Sequence, residues 1–508
     1  MEKRRASIGK FMILLITLLS FFAILTGCAG TSTEDTTTED TTKPTAPTNL
    51  KVNPKSTSSI DLSWDPSTDD VGVVGYEVYR GGTKIGTVNK TSYSDKELEP
   101  DKEYCYTVRA YDNAGNLSDP SNNVCAKTYP LPSAIGEKFP IATTPAPEFG
   151  VSAAFDGTNY LVGILGDAED PANVTAQFIS SEGELVGERI STGRKGSFPV
   201  VVFNGTNYLM VWPDESGPLY GMVLGKDGSV VKAPFSISSM PAQDESIEEP
   251  PYAVCRKDGG CSVMWELEKE VPDGPDIRKV FKRDVDKDGN LVSEEMLIDP
   301  EGGGPFGACD DEDNCIVAYD TGYKIKAYIF GPTINRGPFV IADKNQACRD
   351  TNPSPVAFDG TNYLIVWNDR SDCSEYPQWD ILGQRVDRKG NPVGNKFQVN
   401  DSQKTRRAAI PFLAFDGTNF LVTWIDGRND TDRDGICDPD EGTCYDVYGQ
   451  YISKSGELFG SEFVISNESK NEFGFVTGYA NGKYLVLVNT GEELEFPAGG
   501  DLYGIFIK

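Results

Sequence analysis

From residue 135 to the C terminus, apolar residues fall into short paired runs joined by a polar turn. The fullest copy reads Pro355-Val-Ala-Phe-Asp-Gly-Thr-Asn-Tyr-Leu-Ile-Val-Trp367. The phrase returns at Ala154 to Val162, Val202 to Trp212 and Ala414 to Trp424, with weaker copies at Val254 to Trp265, Ala308 to Tyr319 and Gly478 to Val488. Alternate and intervening positions are both apolar, the pattern of strands buried on two faces. A third run follows each pair, as in Asp380-Ile-Leu-Gly-Gln-Arg-Val386, Tyr220 to Leu224, Tyr448 to Ile452 and Tyr503 to Ile507. A fourth is shorter: Phe397-Gln-Val399, Phe235-Ser-Ile237, Phe339-Val-Ile341 and Phe463-Val-Ile465. Turns such as Lys389-Gly-Asn391 and Lys226-Asp-Gly228 join the third and fourth runs as hairpins.

The repeat recurs every 45 to 65 residues, roughly the period of propeller blades rather than of helical solenoids. Its ends are displaced by one strand. The region opens with Lys138-Phe-Pro-Ile-Ala142, a fourth strand with nothing before it, and closes with Asp501 to Ile507, a third strand with nothing after it. A ring in which the first strand completes the last unit accounts for both and hides the open edges. The predicted fold is all-β, with a seven-bladed β-propeller over residues 135–508 closed by its N-terminal strand. An open β-solenoid is the alternative.

Ahead of it, residues 47–129 alternate with period two: Leu50 and Val52, then Ile60, Leu62 and Trp64, then Tyr76 and Val78, then Tyr104, Tyr106, Val108 and Ala110. Such density of short strands and turns predicts a β-sandwich. Trp64, the run Tyr76-Glu-Val-Tyr79 and Leu98-x-Pro100-x-x-x-Tyr104 resemble the core Trp, third strand and Tyr corner of a fibronectin type III domain. Asp69-Asp-Val-Gly-Val-Val-Gly-Tyr76 is similar to the version common in secreted bacterial polysaccharide-active proteins. The resemblance implies a spacer module and places Cys105 and Cys125 on its last two, neighbouring strands, within reach of a disulfide.

Residues 1–27 read as a processing segment: Lys3, Arg4 and Arg5, then an apolar run from Phe11 to Ile24 too short to span a membrane comfortably. The following Leu25-Thr26-Gly27-Cys28 resembles a lipobox, which implies a bacterial lipoprotein whose Cys28 carries the lipid anchor. The alternative is an ordinary signal peptide with a chance Cys. The resemblance places the protein in the cell envelope, in the outer membrane if the source is Gram-negative. Residues 28–46, rich in Thr, Glu and Asp, cannot bury enough apolar surface to fold and form a tether.

Composition narrows the chemistry. The net charge of −30 argues against nucleic acid and against basic-patch membrane binding. There is no histidine, which removes Ser-His-Asp and Cys-His catalysis and His-ligated metals. Beyond Cys28, adjacent pairing accounts for the cysteines: Cys105/Cys125, Cys255/Cys261, Cys309/Cys315, Cys348/Cys373 and Cys437/Cys444. An exported chain with an even count favours disulfides over free thiols or zinc. Cys255/Cys261 and Cys309/Cys315 stand where other copies carry the two aromatics flanking the turn.

Two stretches carry calcium-loop spacing, with Asp at positions one, three and five, Gly at six and Glu at twelve. Asp430, Asp432 and Asp434, the carbonyl of Ile436, Asp438 and Glu441 lie in an insertion, Gly427 to Tyr445, that belongs to no repeat element. This insertion also resembles a thrombospondin type 3 calcium repeat, and a structural calcium is expected there; a solvated acidic loop is the alternative. Asp284, Asp286, Asp288 and Glu295 have the same spacing but align with the hairpin of other repeats, which favours a plain turn. The Trp row (Trp212, Trp265, Trp367, Trp424) recurs at a fixed place and reads as packing.

With no catalytic constellation in view, the expected function is that of a surface-anchored, non-enzymatic lipoprotein. Its propeller would bind protein or glycan ligands for adhesion or ligand capture, through the loops Asp167 to Asn173, Glu266 to Asp276, Asn368 to Trp379 and Gly427 to Tyr445. The alternatives are a structural component of a cell-surface assembly and a carboxylate-dependent polysaccharide-degrading enzyme.

Overall fold

The computed structural model describes residues 40–508 apart from 55–58, 97, 100, 129–134, 145–146, 248, 273–275, 345–353, 371–378, 402–407, 429–444, 469 and 492–499. Among the described residues the protein is all-β, without a helix, and its strands form nine separate sheets, none closed on itself.

Two of these sheets form the N-terminal sandwich. Thr48–Pro54, Ile60–Asp65 and Ser92–Asp95 make one; Thr83–Val88, Val73–Arg80, Glu103–Asp112 and Val124–Lys127 make the other. The inward residues of both, among them Ile60, Trp64, Tyr76, Val78, Tyr106 and Val108, fill one core. The amide of Glu99 donates to the Tyr104 hydroxyl at 2.9 Å, which pins the chain at the Tyr corner. Cys105 and Cys125 are cross-strand partners and are bonded.

The other seven sheets each have four strands in sequential order. Their first strands are Phe149–Phe155, Val200–Phe203, Tyr252–Cys255, Gly303–Cys309, Val356–Phe358, Ala409–Phe415 and Asn471–Ala480. The second strands are deeply buried, as in Asn159–Leu165 and Asn419–Asp426, where every residue after the first is buried. Fourth strands such as Leu185–Lys195 and Pro392–Gln398 are the more exposed.

The seventh sheet is built from both ends of the region. Its order is Asn471–Ala480, Lys483–Gly491, Gly500–Ile507 and then Phe139–Ala142. The arriving strand packs as several other fourth strands do. In the second, fifth and sixth sheets a third-strand glycine faces a fourth-strand Phe, as Gly221/Phe235, Gly383/Phe397 and Gly449/Phe463. In the seventh Gly504 faces Phe139. A Cβ at Gly383 would lie 2.8 Å from the Phe397 ring, so the ring's own volume dictates the small residue.

Neighbouring sheets touch through their first strands. The contacts run from the first sheet to the second and onward to the seventh, and the seventh then returns to the first. The seven sheets therefore stand in a cycle with their first strands innermost.

Candidate functional site

The innermost strands surround a cavity of about 820 Å3, and every sheet reaches it: Val151, Val200, Tyr252, Phe306, Val356, Phe412 and Phe475 come from sheets one to seven in turn. Six aromatic rings form an unbroken series of contacts, five of them at its wall and Phe149 behind it. Phe198 meets Phe149 at 6.1 Å, Phe149 meets Phe475 at 5.9 Å, and Phe475 meets Phe412 at 4.7 Å. Phe412 meets Phe306 at 5.7 Å and Phe306 meets Tyr252 at 4.6 Å. Most of these pairs stand edge to face, the arrangement the ring quadrupole favours. Phe306 and Phe412 belong to sheets four and six and still touch. The fifth sheet offers only Pro355 and Val356 there, so the rings reach past it across the lumen.

Two wall residues sit where backbone sterics disfavour them. Phe198 has φ 42° and Ile410 has φ 52°, the left-handed region that a β-branched side chain rarely enters. Both lie where the chain enters a first strand, and the Ala409/Phe412 pairing shifts register around Ile410. Strain of this kind gathers at functional sites.

One carboxyl group stands apart behind the wall. Glu266 lies in the second strand of the third sheet, Cys261–Lys269, and is 2% exposed. Its Oε2 accepts the amide of Gly304, a cavity residue, at 2.9 Å. Its Oε1 has no hydrogen-bond partner; Arg278 Nε lies 3.2 Å away without the alignment of a hydrogen bond. Burial pushes the carboxyl up to about 7, Arg278 opposes the rise, and the charge of Glu249 adds to it. Glu249 itself is exposed and lines the cavity. Gly303 offers no side chain in between: a Cβ there would lie 2.3 Å from Glu266 Oε2. The arrangement can hold a proton near neutrality. In the seventh sheet Asn489 takes the place of Glu266 and bonds the amide and carbonyl of Gly150 in the next sheet. In the fifth it is Asn368, buried with neither side-chain polar atom partnered.

The residues singled out from the sequence have varied fates. Cys255–Cys261 and Cys309–Cys315 are bonded across their hairpins. Trp212, Trp265, Trp367 and Trp424 are fully buried among the sheets. Asp284, Asp286, Asp288 and Glu295 do not converge on one point. Asp284 accepts Lys282 Nζ at 2.9 Å, and Asp286 accepts the amides of Asp288 and Asn290 in the turn. Asp288 pairs with Lys287, and Glu295 accepts the Ser239 hydroxyl at 2.7 Å. Cys28, Cys348, Cys373, Cys437, Cys444 and the loop from Asp430 to Glu441 lie outside the described residues. Glu249, Glu266 and the aromatic series were missed. One signal was available: the position after the Trp reads Pro213, Glu266, Asp320, Asn368, Ile425 and Asn489 in successive copies, a polar intrusion into a run otherwise closed to water.

Comparison with known proteins settles the N-terminal module. Residues 45–126 match the family Fibronectin type III domain. This module is a fibronectin type III domain. Exoglucanase B of Cellulomonas fimi is 48% identical over 100 residues, which is 20% of this chain and 9% of that protein. Chitinase A1 of Niallia circulans is 52% identical over 89 residues, 18% of this chain and 13% of its own. The alpha-amylase of the same organism is 46% identical over 89 residues, 18% of this chain and 7% of its own. The chain thus spans a small part of the relatives it matches, and the shared part is the fibronectin type III module.

These relatives correct the expectation of a non-enzymatic adhesion or ligand-capture protein. The module's kin sit in polysaccharide-degrading enzymes, where it is an accessory domain. The carboxylate-dependent enzyme that stood as an alternative is the reading these relatives favour, since glycosidic cleavage needs only carboxyl groups and no histidine. Modules of this kind are typically non-catalytic, and the relatives fit an extracellular or cell-surface location.

Proposed function

We propose that the protein is an exported polysaccharide-degrading enzyme. In this reading the fibronectin type III domain is its spacer, residues 135–508 are a seven-bladed β-propeller, and the central cavity is where the polysaccharide is cleaved. The observation that carries the reading is the module's 46 to 52% identity to those of an exoglucanase, a chitinase and an amylase. The cyclic order of the seven sheets and the strand exchanged between the ends support the propeller. The lipobox-like Leu25 to Cys28 supports a lipid anchor, with residues 28–46 as tether. The spacing from Asp430 to Glu441 supports a structural calcium in the insertion.

A site without histidine cleaves a glycosidic bond with two carboxyl groups. One protonates the departing oxygen and the other acts as base or nucleophile. Glu249 at the cavity suits the second role, and Glu266, whose carboxyl burial shifts upward, stands behind Gly304 as the candidate for the first. The aromatic wall supplies flat apolar faces for sugar rings. The test is release of reducing ends from cellulose, chitin and starch by the full chain. Release from at least one, lost on Glu249→Gln, is expected; no release from any of the three would overturn the proposal.

A further inference from the structure

Four of the seven sheets carry a Tyr just after the first hairpin turn: Tyr160, Tyr208, Tyr363 and Tyr484. In three of them the hydroxyl donates to a carbonyl of the preceding sheet, that of Asn159, Asn314 or Asn419, at 3.0 to 3.1 Å. Tyr160 departs from this pattern. The sheet before it around the cycle is the seventh, where Lys483 holds the corresponding place, and the bond is not made. The Tyr160 hydroxyl is shut off from water and has no hydrogen-bond partner, in a side chain 2% exposed whose ring meets Phe155 at 4.7 Å and Phe506 at 6.1 Å. A buried donor without an acceptor is destabilising, and in a native fold it marks a place where a partner belongs. Burial pushes the phenol up to about 12, so the group stays a neutral donor at ordinary pH.

The same residue lines the central cavity. The seventh, first and second sheets line that cavity as far as their hairpin turns, through Phe475 to Ala480, Val151 to Phe155 and Val200 to Phe203. The cavity therefore runs from the end where Glu249 and Gly304 stand to the hairpin end, where Tyr160 pairs with Phe155. A strand of the length of Phe149–Phe155 covers about 20 Å, which a chain of sugars can span and a single sugar cannot. No Lys or Arg is among the described residues of the wall, whereas Glu249 is. A uronic acid or sulfated chain would bring further negative charge beside that carboxyl group, in a molecule of net charge −30, with no cation at the wall to offset it.

We propose that Tyr160 binds the substrate at the hairpin end of the cavity, its hydroxyl donating to an oxygen of an uncharged oligosaccharide whose other end reaches the carboxyl groups. The proposal rests on the reading that a polysaccharide is cleaved in this cavity. The seventh sheet leaves space on that side: a Cβ at Gly478, a cavity residue, would meet nothing within 4 Å, and the neighbouring Tyr479 is 40% exposed. Tyr160 is a binding residue rather than one of the catalytic pair, and the bonded Tyr363 serves as its control.

The test is calorimetry on the full chain carrying Glu249→Gln, which is expected to bind without cleaving. The probes are hexaoses of the cello, chito and malto series and an oligogalacturonate of equal length. Adding Tyr160→Phe is expected to weaken binding of the best neutral sugar at least fivefold, and adding Tyr363→Phe to leave it unchanged. Urea denaturation should give the reverse order: Tyr363→Phe lowers the midpoint because it loses the bond to Asn314, and Tyr160→Phe does not, having no bond to lose. The oligogalacturonate is expected to bind at least tenfold more weakly than the best neutral sugar. Equal affinity with and without Tyr160→Phe, or a galacturonate bound as tightly as the neutral sugars, overturns the proposal and leaves the cleavage reading standing wherever wild type still releases reducing ends. If no sugar of any series binds, the proposal falls, and the cleavage reading falls with it when wild type also releases none.

Discussion

Glu266 shows how a single residue can depart from a repeat without breaking it. It stands where Asn489 stands in the seventh sheet and keeps the bond to the neighbouring sheet, but it brings a carboxyl group into a buried place. Its folded pKa of about 7 against an ordinary 4.5 means that the folded protein holds a proton the unfolded chain has released between those values. The stability it contributes is complete below pH 4.5 and is lost as pH rises through 7, amounting to about 3 kcal/mol. Glu266→Gln is therefore expected to flatten the fall in unfolding midpoint between pH 5 and 8, read by urea denaturation. The repeat tyrosines make a second residue-scale case. Tyr208, Tyr363 and Tyr484 each donate a hydroxyl to a carbonyl in the preceding sheet, those of Asn159, Asn314 and Asn419. The sequence marks these rings as core, and it cannot show the bond, because the acceptor lies one repeat away. Tyr363→Phe is expected to cost about 1 kcal/mol by the same measurement.

The hairpin around the Asp-Gly turn is the most legible element. Its flanking residues pair across the strands as Phe155/Tyr160, Phe203/Tyr208, Phe358/Tyr363, Phe415/Phe420 and Tyr479/Tyr484, with ring centroids 4.7 to 5.1 Å apart. Cys255/Cys261 and Cys309/Cys315 hold the same cross-strand positions as disulfides. This exchange could be read directly, because a period of two ties register to side-chain face. Reduction is expected to lower the unfolding midpoint of the wild type, by about 2 kcal/mol per bond. The double variant Cys309→Phe/Cys315→Tyr should lose that hairpin's share of the sensitivity, checked by thermal unfolding with and without dithiothreitol. The aromatic series at the cavity was not legible in the same way. Its rings come from five first strands and the approach to a sixth, at unequal distances from their turns, and no single copy reveals that Phe306 and Phe412 meet.

At the scale of the molecule, the displacement of the two ends by one strand foretold the seventh sheet, because an unpaired edge must find a partner. Phe139 on Gly504 repeats the packing of Phe397 on Gly383, and Lys138 Nζ bonds Glu472 Oε1 at 2.7 Å across the junction. Removal of residues 1–129 should leave a monodisperse protein. Removal of residues 1–143 should expose the edge of Gly500–Ile507 and give aggregates, separated by light scattering. Function was less legible than architecture, since the carboxyl groups that matter lie among 77 Asp and Glu residues and only burial, for Glu266, and placement at the cavity, for Glu249, distinguish them. The central claim is that a polysaccharide meets the cavity rather than the module. Amide exchange of the full chain with cello-, chito- and malto-oligosaccharides tests it most directly. Protection over residues 249–252, 304–306, 410–413 and 475–480 with at least one of them is the predicted result. Protection confined to residues 45–126, or none with any sugar, would contradict it.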